Sequence, residues 1–230
     1  PGQEHVKRAV IEMGGKNAII VDNDADLDEA VRGVVYSAFG YAGQKCSAAS
    51  RCIVLEEAYD RFMERLGEAT RSVIVGPASD PATFVPPVID DEAVARLRKS
   101  IDAARETCTL HAEGILPDNP GQGRYIPPVV FSDVPADDPL LSTELFGPVL
   151  AVLKVPDFDT ALEVAMDTEY GLTGAVFSRS PANLKRATRE FRVGNLYLNR
   201  GCTGSLVQRQ PFGGSRMSGV GSKAGGPDYL

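Results

Sequence analysis

The stretch NAIIVDNDADLDEAVRGVVYSAFGYAGQKCSAASRCIVL, residues 17–55, decides the fold. Asn17 to Val21 and Ile53 to Leu55 are short apolar runs that read as strands. Between them, Asp24 to Ala42 reads as a helix. Leu27, Ala30, Val31, Val34, Val35 and Ala38 recur at helical spacing, with Asp26, Asp28 and Glu29 early in the first turns. The alternation continues outward. Val6 to Ile11 reads as a strand before Gly14-Gly15, and Tyr59 to Val73 as an amphipathic helix. A helix over about Glu92 to Glu106 follows Asp90-Asp91, with a strand over Thr107 to His111 and a loop over Leu116 to Arg124. Pro148–Val155, Thr173–Ser178 and Asn195–Asn199 read as strands. Phe158–Asp167 and Pro181–Phe191 read as helices, the second with Pro at its first position. Strands alternating with helices predict an α/β fold with a mostly parallel sheet flanked by helices. The tail from Gly201 to Gly226 is rich in Gly and Ser, which suits either a loop close to a ligand or a plain surface loop.

Composition removes several function classes. The chain has 230 residues and a net charge of −7, so it lacks the basic face that nucleic acid or an anionic membrane requires. No apolar run approaches the ~18 residues of a membrane span, and Glu4, His5, Lys7 and Arg8 break any signal-peptide core. Two histidines argue against a His-rich metal centre or a His-driven hydrolase. Cys46, Cys52, Cys108 and Cys202 match no CxxC or zinc spacing, so no metal is expected and the compartment reads as reducing. Cys52 and Cys108 read as small core residues.

Four segments carry chemistry. In Gly43-Gln44-Lys45-Cys46-Ser47-Ala48-Ala49-Ser50, a turn of helix is expected to begin at Cys46. Amides at a helix start, together with Lys45, would favour the thiolate; the alternative is an inert buried cysteine. His5 and His111 stand in unhelpful contexts for a base. Glu12, between the run Ala9-Val10-Ile11 and Met13-Gly14-Gly15, is a candidate general base with a raised pKa, or else an exposed strand-end carboxylate. Glu144-Leu145-Phe146-Gly147-Pro148-Val149 joins a carboxylate able to hold ribose hydroxyls to an aromatic able to press on a flat ring. The alternative is a helix-end Glu with a core Phe. Pro211-Phe212-Gly213-Gly214-Ser215 again sets an aromatic beside flexible backbone. No GxGxxG or GxxxxGK[ST] loop occurs.

Together Glu12-Met13-Gly14-Gly15-Lys16, Gly43-Gln44-Lys45-Cys46, Glu144 to Val149, Asn195 to Asn199 and Pro211 to Gly214 resemble the aldehyde dehydrogenase superfamily over essentially the whole chain, including the interval from Glu12 to Cys46. Gly43 to Ser50, Tyr170-Gly171-Leu172-Thr173-Gly174 and Thr203-Gly204-Ser205-Leu206-Val207 resemble its Δ1-pyrroline-5-carboxylate (glutamate semialdehyde) dehydrogenase branch. The resemblance implies the family's catalytic-domain fold over residues 1–200, with an anchor loop and C-terminal segment over 201–230. It implies Cys46 as the nucleophile, passing through a thiohemiacetal and a thioester, with its backbone N–H helping to hold the oxyanion. It implies Glu12 as the activator of water, and Glu144 and Phe146 as binders of the nicotinamide cofactor, NAD or alternatively NADP. Ser47, Gly204, Ser205 and Phe212 would hold the aldehyde substrate, the α-carboxylate resting on backbone N–H groups.

The same resemblance implies a cofactor domain and an oxyanion Asn upstream, neither present in this chain. Little NAD-dependent turnover is therefore expected of these residues alone. A cytoplasmic or mitochondrial-matrix homo-oligomer is expected of the whole enzyme, with no nucleic-acid or membrane partner. Val85-Pro86-Pro87-Val88 stands where Gly-Pro-Val is expected, and Pro86 cannot take a left-handed backbone. Alternative readings are another semialdehyde substrate such as succinate semialdehyde, a cofactor-independent esterase using Cys46 and Glu12, or a non-enzymatic fragment. The CoA-acylating branch is disfavoured because Glu12 is present. Cys202 reads as a bystander.

Overall fold

A computed structural model describes residues 2, 4, 6–117 and 123–229; His5 and the middle of the 116–124 loop lie outside these residues. The first elements are β1 (Ile11–Glu12), β2 (Asn17–Val21), α1 (Leu27–Phe39), β3 (Ala49–Leu55), α2 (Glu56–Ser72) and α3 (Asp91–Thr107). Then come β4 (Thr109–Glu113), β5 (Val129–Ser132), α4 (Pro139–Ser142), β6 (Val149–Val155) and α5 (Phe158–Met166). The chain ends with β7 (Tyr170–Gly171), β8 (Thr173–Phe177), α6 (Pro181–Glu190), β9 (Asn195–Leu198), β10 (Ser215–Arg216) and β11 (Gly219–Val220).

Seven strands form one sheet in the order β4-β5-β6-β3-β2-β8-β9. Every pairing is parallel except β4 with β5. The expected α/β architecture is therefore present. Central β2 is buried on both faces, and its side chains divide by the two-residue period of a strand. Ile19 and Val21 join the core under α1, α2 and α3, while Ala18 and Ile20 join the core under α5 and α6. Helix starts follow local chemistry. The carboxylates of Asp26, Asp90 and Asp157 and the hydroxyl of Ser180 accept the first free N–H groups of α1, α3, α5 and α6.

Three expectations are corrected. Residues 6–10 form no strand, because only Ile11 and Glu12 find partners, in β11. The tail is not a free loop: β10 pairs with β7 and β11 with β1, folding it back across the sheet end. Cys46 does not begin a helix. It lies in a turn between a 3-10 segment (Gly40–Gly43) and β3, because Ala49 is already the first strand residue. Cys52 is fully buried in β3 as expected, while Cys108, after α3, is only partly buried. Among the described residues, no helix is long and apolar enough to cross a membrane, and no group of His, Cys, Asp and Glu could hold a metal.

Candidate active site

The parallel register brings together the segments that precede β2, β3, β6 and β8. Gly14-Gly15, Cys46, Glu144 and Leu172 all stand in those segments. Asn17, at the start of β2, joins them. Its Nδ2 donates to the carbonyls of Cys46 and Ala48, both at 2.8 Å, and its Oδ1 accepts Thr173 N–H at 2.9 Å. Asn17 is buried, so these three bonds hold the cysteine turn between β2 and β8 without competition from water. The small residues Ser47 and Ala48 that follow Cys46 are buried. The turn is pinned further where Thr173 Oγ1 and Cys202 Sγ each donate to Ser47 O at 3.3 Å.

Burial pushes the Cys46 thiol above its ordinary value. The carboxylates of Glu144 and Glu12 push it the same way, against the N–H groups of Ser47 and Cys46. The expectation of a helix-favoured thiolate is thus corrected: no helix begins at Cys46, and burial favours the thiol over the thiolate. Cys46 is part-exposed, whereas Cys202 is fully buried with its thiol raised to about 11. A buried thiol held against a carbonyl fits the bystander reading.

Glu144 stands against the glycine pair. Its Oε1 accepts Gly15 N–H at 3.0 Å, and a Cβ built on Gly14 would lie 2.0 Å from its Oε2. Burial raises its pKa, with Gly15 N–H and Lys16 opposing. Lys16 is buried and donates to Thr143 O at 3.0 Å, bracing the residue before Glu144. Desolvation first, and Arg51 second, bring its pKa down to about 7. Arg51 of β3 spends its guanidinium on backbone carbonyls: Lys16 O at 2.9 and 3.2 Å, Val164 O at 2.9 Å and Ala165 O at 2.8 Å. It thereby closes the carboxyl end of α5 onto the Gly14–Asn17 segment.

Glu12 approaches from the other side. A Cβ on Gly213 would lie 3.1 Å from Glu12 Oε1, so the Phe212-Gly213 turn lies against this carboxylate. Asn195 holds that turn through Nδ2 to Pro211 O at 3.0 Å and Oδ1 from Gly213 N–H at 3.3 Å. Desolvation raises the Glu12 pKa, and Lys223 opposes it. Phe146 is 41% exposed with φ +54°. It edges a cavity of about 680 Å³ whose walls include Tyr41, Gln44, Phe84, Pro86 and Ile89. Pro86 and Pro87 line that wall, and just beyond them Gln44 Oε1 takes Ile89 N–H at 2.9 Å. The 203–205 loop follows Cys202, whose sulfur bond to Ser47 O ties it to the cysteine turn. A thiol, two carboxylates of raised pKa and an apolar cavity edged by an aromatic are a set able to form a covalent adduct, activate water and seat a flat ring. Asn17, Lys16 and Arg51 carry no signal of these roles in the sequence, because each works through backbone carbonyls brought together by the fold.

Residues 2–230 match the aldehyde dehydrogenase family. The 1-pyrroline-5-carboxylate dehydrogenase of Geobacillus kaustophilus is 52% identical over 230 residues, covering 100% of this chain and 44% of that protein. Proline utilization A from Bdellovibrio bacteriovorus superposes with a TM-score of 0.95 at 58% identity, covering 100% of this chain and 24% of that one. A Thermus 1-pyrroline-5-carboxylate dehydrogenase with bound NAD superposes at 0.93 with 47% identity, covering 100% of this chain and 44% of that one. The chain thus spans less than half the length of the relatives it matches.

Proposed function

The chain belongs to the aldehyde dehydrogenase family, and from that premise we propose that it carries the catalytic centre of an NAD-dependent enzyme oxidising glutamate semialdehyde, the open form of Δ1-pyrroline-5-carboxylate, to glutamate. The observation that carries this reading is the convergence of Cys46 and Glu144 on Gly15, whose N–H meets Glu144 Oε1 at 3.0 Å and whose Cβ, were one present, would lie 2.7 Å from Cys46 O. The similarity to 1-pyrroline-5-carboxylate dehydrogenases supports the choice of aldehyde.

In this mechanism Cys46 gives its proton to solvent water and its sulfur adds to the aldehyde carbon, the carbonyl π bond opening to a thiohemiacetal oxyanion. The Cys46 N–H is a donor for that oxyanion. An oxidised nicotinamide, when bound, would supply the acceptor for the hydride leaving that carbon. Glu144 would hold the cofactor's ribose hydroxyls with the oxygen that Gly15 leaves free, and Phe146 would pack on its ring beside the cavity. These residues fit such a group in their chemistry: the part-buried Glu144 carboxylate keeps an oxygen beyond its bond to Gly15 N–H with which to accept from hydroxyls. The aldehyde becomes a thioester on Cys46. Glu12 takes a proton from water, the water oxygen attacks the carbonyl carbon, the carbon–sulfur bond breaks, and the proton on Glu12 passes to the leaving sulfur, giving glutamate and the Cys46 thiol. A raised Glu12 pKa suits that step, because a carboxylate closer to neutrality is a stronger base. Ser47, Gly204, Ser205 and Phe212 would hold the rest of the substrate. Four free cysteines fit a reducing compartment such as the cytoplasm.

The test is NADH formation from glutamate semialdehyde by the enzyme that carries this sequence. Glu12→Gln should give a single burst, up to one NADH per active site, and then stall at the thioester. Cys46→Ala should give no burst. Turnover surviving Cys46→Ala overturns the reading, and faster turnover of succinate semialdehyde overturns the choice of substrate.

A further inference from the structure

We propose that Arg200 is a positioning residue that shapes the 203–205 loop into an anion-binding nest and so determines selectivity for substrates with an α-carboxylate. The inference rests on the reading of this loop as the substrate anchor. The guanidinium of Arg200 stacks over the Tyr197 ring, 4.6 Å from its centroid. From there Nη2 donates to the carbonyls of Thr203 at 2.8 Å and Gly204 at 3.2 Å. Gln210, which Arg200 Nη1 reaches at 3.5 Å, takes Leu206 N–H at 3.1 Å and closes the far end of the loop.

The consequence follows from peptide geometry. All peptide bonds of the described residues are trans, so each carbonyl points opposite to the N–H of the same plane. Two successive carbonyls turned toward Arg200 therefore turn the N–H groups of Gly204 and Ser205 away from it, on one side of the chain. Gly204 has φ +77°, the left-handed conformation that lets neighbouring N–H groups converge. Among the described residues, neither N–H has an acceptor. The Thr203 hydroxyl is buried and also lacks a partner among these residues. An anion is the ligand such a pair of donors takes, and the cation behind the peptide planes strengthens it by polarising both carbonyls. A lysine at this position keeps the charge but loses the planar fork that is stacked on Tyr197.

The experiment measures alkylation of Cys46 by iodoacetamide, read by peptide mass mapping, and its protection by L-glutamate. 4-Aminobutanoate, which lacks the α-carboxylate, is the comparison. Wild-type protein should be protected by L-glutamate at lower concentration than by 4-aminobutanoate. In Arg200→Met the half-protecting glutamate concentration should rise about tenfold or more, the scale of lost hydrogen bonds to a charged group. The 4-aminobutanoate value and the unprotected alkylation rate should stay unchanged. Arg200→Lys should fall between, which holds the test open if the Met variant does not fold. Wild-type protein without selective glutamate protection overturns the reading of the loop as an anchor. Selective wild-type protection that survives unchanged in both variants overturns the role of Arg200 alone.

Discussion

Replacing Asn17 with Ala should separate the site's scaffold from its chemistry. The substitution takes the side-chain partner from three backbone groups: the buried carbonyl of Ala48, the buried N–H of Thr173 and the part-buried carbonyl of Cys46. An orphaned buried group costs about 1–3 kcal/mol, and part of that cost is relieved where the backbone relaxes or water enters. Three such groups give a loss of about 3–5 kcal/mol. A domain of ordinary stability, about 5–15 kcal/mol, then still folds but with a large part of its margin gone. Urea titration with linear extrapolation reads this as a lower midpoint at unchanged slope.

Asn17→Asp sharpens the test. It keeps the shape and the acceptor for Thr173, but turns an acceptor toward the two carbonyls that Nδ2 served. A carboxylate facing carbonyls and desolvated has its pKa raised. A raised folded-state pKa favours folding below the unfolded-state pKa, and that advantage is lost as pH rises through the folded value. Asn17→Asp should therefore be less stable than Asn17→Ala at neutral pH and gain on it as pH falls toward about 4. An Ala variant within about 1 kcal/mol of wild type refutes the clamp, since that is no more than the net worth of one ordinary hydrogen bond. So does an Asp variant that tracks Ala at every pH.

Three further outcomes follow from the site. Iodoacetamide labelling of Cys46 should rise with pH around a midpoint above that of a free thiol, because burial and two carboxylates oppose the thiolate; a midpoint below it, measured beside a small reference thiol, contradicts the assignment. Lys16, brought from 10.5 to about 7 by burial, binds its proton less well folded than unfolded, so wild-type stability should gain on Lys16→Met between about pH 7 and 10.5. The total gain should be on the order of 4 kcal/mol, and parallel urea-derived curves for the two proteins would contradict it. Phe146→Gly should relieve a left-handed residue that bears a Cβ, worth about 1 kcal/mol, while weakening cofactor binding; a loss of both stability and affinity, measured by urea titration and NAD titration, would place Phe146 in the packing.

How much of this was readable beforehand depends on whether a residue works through its own pattern or through the backbone of others. The alternation that marked β2, α1 and β3 is imposed by burial on two faces, and burial leaves a periodic trace. The cysteine turn leaves a weaker one. Ser47, Ala48 and Ala49 read as a helix start because small residues suit both a tight turn and a first helical turn. Parallel pairing of Ala49 with Asn17 decided between them, and that contact lies 32 positions away in the chain. The strand expected over Val6 to Ile11 is cut short for a related reason: the two-residue β11 pairs with Ile11 and Glu12 alone.

Site placement carries the strongest lesson. The general expectation for an open parallel sheet puts ligands beyond the carboxyl ends of strands, and Glu12 was read as one such end. The cysteine turn, the glycine pair and Glu144 instead precede their strands, at the amino ends of β2, β3 and β6. Parallel register explains why they still converge: segments entering adjacent strands are neighbours wherever the strands start level. What holds them there is a set of polar side chains donating to carbonyls, Asn17 to Cys46, Arg51 to Lys16, Lys16 to Thr143. A carbonyl is present at every position, so the choice of acceptor leaves no mark in sequence. The candidate reacting groups are therefore proposed from residue type, while the residues that hold their segments together emerge only from the folded chain.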